Sequence, residues 1–176
     1  LGKLKALDNR AIIAGGAPRD WYFGNCANDI DIFYYNTEGK WCLDNIRKQK
    51  AILCALLNIS DINVVGFNSE KDKGEPKENY NNYLKNPDIV NVFETVIEDV
   101  KFQFIQLKNQ DVNVKTFAYN MCQAWSDGDY IKFTDKFKLG VDKELLIETG
   151  ELYCNTDKFK RKMISKFPSY TYLGRD

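Results

Sequence analysis

At 176 residues, with 44% apolar side chains and 11 Phe, 10 Tyr and 3 Trp, the chain has the material for a buried core, which excludes a largely disordered or fibrous polymer. Lys plus Arg equals Asp plus Glu at 25 each, so no global field draws it to nucleic acid or to an anionic membrane, and an extensive nucleic-acid footprint is not expected. Histidine is absent and the five cysteines lack C-x-x-C spacing, which leaves carboxylates, Lys, Arg, backbone amides and an oxygen-bound metal to carry any chemistry.

In chain order, "RAIIAGG" reads as a short buried strand ending in glycine, and "APRDWYFG" as a short helix with Pro18 near its first turn and Gly24 past its end. "NDIDIFYYN" alternates, which predicts a strand with Asp29 and Asp31 on one face and Ile30 and Ile32 on the other. Leu43, Ile46, Leu53 and Leu57 recur at helical spacing and predict an amphipathic helix from Thr37 to about Leu57, packed on one side of a sheet. "INVVGF" is the next strand. Residues 68 to 88 are polar, hold Gly74, Pro76 and Pro87, and predict a long surface excursion. "IVNVFETVI" and "VKFQFIQL" form a hairpin that turns at Glu98-Asp99.

Beyond residue 110, Val114, Phe117, Met121 and Trp125 mark one face of a helix that "SDGD" ends. "YIKFTDKF" reads as a strand pair or loop and "DKELLIE" as a short helix. "TDKFKRKMISKF" predicts a basic helix with Phe159, Met163 and Phe167 on its apolar side. The expected architecture is α+β (α/β), a small mixed β-sheet of about four or five strands with helices packed on one side and a helical C-terminal third. Residues 1–110 would form the core, and residues 111–176 a helical segment packed on it. No run of eighteen apolar residues and no signal-peptide pattern is seen, so no membrane association and a cytoplasmic location are expected.

Asp29 and Asp31, two residues apart in a strand, point the same way with Cα atoms about 6.5 to 7 Å apart. One or two hard cations can bridge that span, and without a cation the carboxylates repel. A strand ending in Gly15-Gly16 and entering a helix presents bare amides to phosphate oxygens, and Arg19 adds a positive charge nearby. Phosphates at the glycines and metals at the aspartates of a neighbouring strand describe a nucleoside triphosphate site. Trp21, Tyr22, Phe33, Tyr34 and Tyr35 are candidates for stacking a base, or for the core.

The stretch "GGAPRDWYFGN…NDIDIF" resembles the head-domain signature of the DNA polymerase β-type nucleotidyltransferase superfamily, in particular that of bacterial CCA-adding enzymes and poly(A) polymerases. There G-G-x-x-R-D is followed by a short helix, a glycine and D-x-D. The compact size is similar to that of stand-alone nucleotidyltransferases encoded by bacteriophages, which would place the chain in a host cytoplasm. The resemblance implies a nucleotidyltransferase-like fold and Mg²⁺-dependent, or Mn²⁺-dependent, transfer of a nucleoside monophosphate from an NTP to an acceptor hydroxyl on RNA, a protein or a small molecule. By it, Gly15 and Gly16 would line the triphosphate site, Asp29 and Asp31 would bind the catalytic metals, and Arg19 and Asp20 would organise the nucleotide pocket.

The chain departs from the pattern in two ways. A third acidic residue often sits on a later strand beside D-x-D, and here "VKFQFIQL" offers Gln103, with Glu94, Glu98, Asp99 and Asp111 as other carboxylates that could serve. The chain also stops short of the neck, body and tail that hold tRNA, so a CCA-adding role is not expected. The alternative is a catalytically degenerate binding, regulatory or virion-associated protein on the same scaffold.

Overall fold

In a computed structural model, which describes residues 1–35, 43–67, 88–108, 112–149 and 157–174, the apolar runs pair into one sheet. Its strands are β1 (Ile12–Ala14), β2 (Asp29–Tyr35), β3 (Asn63–Phe67), β4 (Ile89–Ile97), β5 (Val100–Leu107), β6 (Ala124–Ser126) and β7 (Ile131–Phe133). They lie in the order β3-β4-β5-β2-β1-β6-β7. Only β2 and β5 pair in parallel, and every other neighbouring pair is antiparallel. The mixed α+β architecture is thus as expected, on a sheet of seven strands rather than four or five.

The period-two pattern of β2 decides what each face of the sheet does. Ile32 and Tyr34 join Phe93, Phe104 and Leu53 in a core formed with α2 (Leu43–Leu57), the helix predicted from its apolar spacing. The start of that helix at residues 37–42, and residues 68–87 of the polar excursion, lie outside the described residues. On the opposite face Phe33 packs with Ala14, Val92, Ile105 and Val114. Asp29 and Asp31 belong to this second face, at the less buried beginning of the strand. The β4–β5 hairpin turns at Glu98 and Asp99, whose φ values of 50° and 64° suit a two-residue turn with both central residues left-handed.

The C-terminal third departs from the expected helices. In place of one helix through Val114, Phe117, Met121 and Trp125, the chain makes 3₁₀ turns at Val114–Thr116 and Asn120–Cys122 and then enters β6. Local side-chain bonds compete with helix here: Asn113 Oδ1 accepts from the Lys115 amide, and Thr116 Oγ1 donates to the Asn113 carbonyl. Ladder pairing of Ala14 with Trp125 then settles the segment as a strand. The "SDGD" stretch is the β6–β7 turn, with Gly128 at φ 110°. "DKELLIE" is not a helix of its own. It holds the end of α3 (Asp135–Lys143), a left-handed Glu144, and the strand β8 (Leu145–Ile147), which pairs with β9 (Thr171–Leu173). The basic helix forms as α4 (Asp157–Lys166), with Met163 buried in a core of Tyr119, Met121, Phe137, Leu146 and Phe167. No helix among the described residues is long and apolar enough to cross a membrane.

Asn120, fully buried, ties this region together. Its Nδ2 donates to the carbonyls of Lys136 and Leu145 at 3.2 and 3.0 Å, and its Oδ1 accepts from the Ile147 amide at 2.8 Å. A Cβ on Gly140 of α3 would fall on Asn120 Nδ2 and within 2.8 Å of the Leu145 carbonyl oxygen. Gly140→Ala is therefore expected to cost about 1–3 kcal/mol, read as a lower midpoint in denaturant unfolding with an unchanged slope.

Candidate functional site

β1 ends in Ala14, and Gly15 turns the chain into α1 (Gly16–Tyr22) with φ 89° and ψ −119°, a backbone region open to glycine. A side chain here meets only an ordinary contact with Phe117 at 3.6 Å, so the penalty lies in the backbone. Gly15→Ala should cost about 1–3 kcal/mol in unfolding experiments and displace the start of α1. The Gly15 amide donates to the Ala124 carbonyl at 3.0 Å, which pins the turn to β6.

Because β1 and β2 run antiparallel with Ile13 opposite Ile32, the glycine turn follows β1 beside the start of β2, where Asp29 and Asp31 stand. Asp29 is exposed and Asp31 half-buried, with Oδ1 of Asp31 shut off from solvent. On the other side, β5 runs parallel to β2 and places Lys101 in register with Asp29 and Gln103 with Asp31. β4 then sets Glu94 opposite Gln103. The row Asp31, Gln103, Glu94 crosses three adjacent strands on one face. Gln103 Nε2 donates to Glu94 Oε2 at 2.8 Å, and Lys101 Nζ lies 3.3 Å from the same oxygen. The position beside Asp31 on the neighbouring strand therefore carries an amide, with a carboxylate one strand farther out.

Among the described residues no group of three or more His, Cys, Asp or Glu side chains gathers; Asp29 and Asp31 stand two residues apart on one strand face. An exposed carboxylate beside a half-buried one matches the chemistry of Mg²⁺, which is held by one or two carboxylates and keeps its remaining positions for water and phosphate oxygens.

Arg19 and Asp20 face inward. Arg19 Nε donates to Asp20 Oδ1 at 2.9 Å, and its Nη1 lies 3.7 Å from Cys122 Sγ and 3.8 Å from Met163 Sδ. Lys166 of α4 donates to Asp20 Oδ2 at 2.7 Å. Burial alone would raise the Asp20 carboxyl, but the hydrogen bonds from Arg19 and Lys166 outweigh it and hold it below its ordinary value. In this arrangement the pair joins α1 to α4, and the Arg19 guanidinium borders the glycine turn, its Nη2 3.5 Å from where a Cβ on Gly16 would sit. Of the cysteines, Cys26 is exposed and Cys122 buried, both as free thiols.

On the same sheet face, two residues beyond Asp31, a cleft of about 350 Å³ opens beside Phe33, Tyr35, Val114 and Trp125, with Arg10 and Lys115 at its walls. Asp8 orients one of these cations. Its carboxylate accepts from Arg10 Nε at 3.3 Å and from the Tyr35 amide at 2.7 Å, while the Arg10 guanidinium lies 5.2 Å from the Tyr35 ring centroid. Phe33 and Tyr35 were candidates for stacking. Arg10, Lys115 and Trp125 gave no signal, since they meet only through the pairing of β1 with β2 and β6.

A scan of protein-family models matches none to the chain, and a search of curated proteins likewise finds no match. The fold, by contrast, is similar to that of tRNA-processing enzymes. An apo form of one superimposes with a TM-score of 0.59 at 12% identity, covering 98% of this chain and 44% of that one. A complex gives 0.57 at 13% identity over 98% and 42%, and a structure with CTP gives 0.56 at 13% over 98% and 42%. At this identity the likeness is one of fold. The chain spans less than half the length of these enzymes.

Proposed function

We propose that the protein is a metal-dependent nucleotidyltransferase, which joins the α-phosphorus of a nucleoside triphosphate to an acceptor hydroxyl and releases pyrophosphate. The observation that carries this reading is the placing of Asp29 and Asp31 side by side next to the Gly15-Gly16 turn, within a fold also found in tRNA-processing enzymes, one of them solved with CTP. Asp29 and Asp31 would hold Mg²⁺, which when bound neutralises the carboxylates and draws charge from the transferring phosphoryl group. The absence of side chains at Gly15 and Gly16 would let the β- and γ-phosphates approach, with the Gly15 amide itself engaged by Ala124 and the Gly16 backbone left to receive them. The neighbouring cleft has room and aromatic walls for the nucleoside, and Arg10 and Lys115 offer positive charge to an anionic acceptor. In the step itself the acceptor oxygen–phosphorus bond forms as the bond from the α-phosphorus to pyrophosphate breaks, and the hydroxyl proton leaves to solvent.

Titration calorimetry with each NTP, with and without Mg²⁺, tests the reading, together with pyrophosphate release in the presence of RNA, protein and small-molecule hydroxyls. The expected result is metal-dependent binding of at least one NTP followed by release of pyrophosphate. A folded protein that binds no NTP under any condition overturns it. Gln103 at the third acidic position favours a second reading, a nucleotide-binding protein without turnover, which predicts the binding and no pyrophosphate.

A further inference from the structure

Glu94 is a partly buried carboxylate that touches neither aspartate, yet it holds both β5 side chains that flank them. Its Oε2 receives the Gln103 amide at 2.8 Å and the Lys101 ammonium at 3.3 Å. A carboxylate only accepts, so the nitrogen of the Gln103 amide faces Glu94 and its carbonyl oxygen is turned away from it. Lys101 stands in register with Asp29, and strands lie about 4.8 Å apart, so a flexible lysine at that position is within reach of Asp29 and Asp31 as well as Glu94. Three carboxylates on one face thus lie within reach of the Lys101 ammonium. When Glu94 holds it, Lys101 is kept off the aspartate pair.

If Asp29 and Asp31 hold the metal, as proposed above, Lys101 is that metal's built-in rival. We propose that Glu94 is a positioning residue of the metal site: it draws the Lys101 ammonium toward β4 and away from Asp29 and Asp31. Loss of the Glu94 charge releases Lys101 to pair with the aspartates and exclude the cation. The same substitution also changes the acceptor that the Gln103 amide meets. These two effects separate when Lys101 is also removed.

The test is a double-mutant cycle read by Mn²⁺ binding, with free Mn²⁺ followed by electron paramagnetic resonance in the wild type, Glu94→Gln, Lys101→Met and the double variant. Glu94→Gln should weaken Mn²⁺ binding by roughly tenfold, a size in keeping with one ammonium placed a few ångströms from a partly screened cation site. Glu94→Asp, which keeps the charge, should bind within about threefold of wild type on the same reasoning. In the Lys101→Met background, Glu94→Gln should change nothing, because the rival is gone. Binding unchanged in the single Glu94→Gln variant overturns the inference, and so does a double variant weaker than Lys101→Met, which would make Glu94 an electrostatic or direct partner of the metal itself. Should Glu94→Gln not fold, Glu94→Thr, neutral and suited to a strand, takes its place in both backgrounds of the cycle. A folded wild type that binds no Mn²⁺ removes the metal reading of Asp29 and Asp31, and this inference with it.

Discussion

Asp29→Asn/Asp31→Asn is expected to abolish Mg²⁺-dependent NTP binding and to lower pyrophosphate release by at least about a hundredfold, since a bound metal contributes several kcal/mol to phosphoryl transfer and each 1.36 kcal/mol is tenfold in rate. The folded state should survive. Asp29 is exposed and Asp31 only half-buried, and both stand at the open end of β2, away from the α2 core. Removing two like charges on one strand face relieves repulsion in the absence of metal, so thermal unfolding without Mg²⁺ should stay within about 0.5 kcal/mol of wild type or rise slightly. With Mg²⁺ the order reverses: the wild type gains stability by binding the ion in its folded state and the variant does not. A variant that keeps full NTP binding and pyrophosphate release would show that the aspartates are a solvated strand face. Intact metal-free folding with lost metal response is the pattern that ties them to the cation.

What the sequence makes legible follows from the range of the interactions involved. The D-x-D alternation, the Gly15 turn, the α1 helix and the hairpin at Glu98-Asp99 are specified by residues within a few positions of one another, and all appear as read. The position of Gln103 beside Asp31 could be anticipated because two strands with strong alternation have few ways to align. The segment from Val114 to Trp125 could not. Its apolar spacing fits a helix, but Ala14 and Ile13 offer it a ladder partner more than a hundred residues away, and Gln123 bonds the Lys115 carbonyl and the Thr134 hydroxyl in ways that no local pattern announces. Arg19 is half legible in the same way. Next to two glycines it reads as a phosphate ligand, while the structure gives its guanidinium buried partners on η3-type turn residue Cys122 and helix residue Met163.

Asp20→Asn should lower stability by about 3–5 kcal/mol at neutral pH, because it leaves the Arg19 guanidinium buried without its carboxylate. For a domain of this size that is a fall in melting temperature of roughly 10 °C. Lys166→Met removes a partner of the same carboxylate but should cost no more than about 1 kcal/mol, since the lysine is a third exposed and its charge is screened. Salt should erode the lysine's share and spare the arginine's. The pH dependence follows from the direction of the Asp20 shift. A carboxyl held below its ordinary value in the folded state adds stability that is fully present above the unfolded value and is lost as pH falls through the folded one. The gap between wild type and Asp20→Asn should therefore be constant at neutral pH and close only on the acid side of the ordinary aspartate range. Since Asp20 joins α1 to α4, and α1 begins at the glycine turn, loosening this clamp also frees the backbone proposed to receive the phosphates. Asp20→Asn is thus expected to weaken NTP binding even at temperatures where the variant is folded, while its Mn²⁺ affinity at Asp29 and Asp31 stays near wild type. A parallel loss of both would instead place Asp20 in the support of the whole sheet.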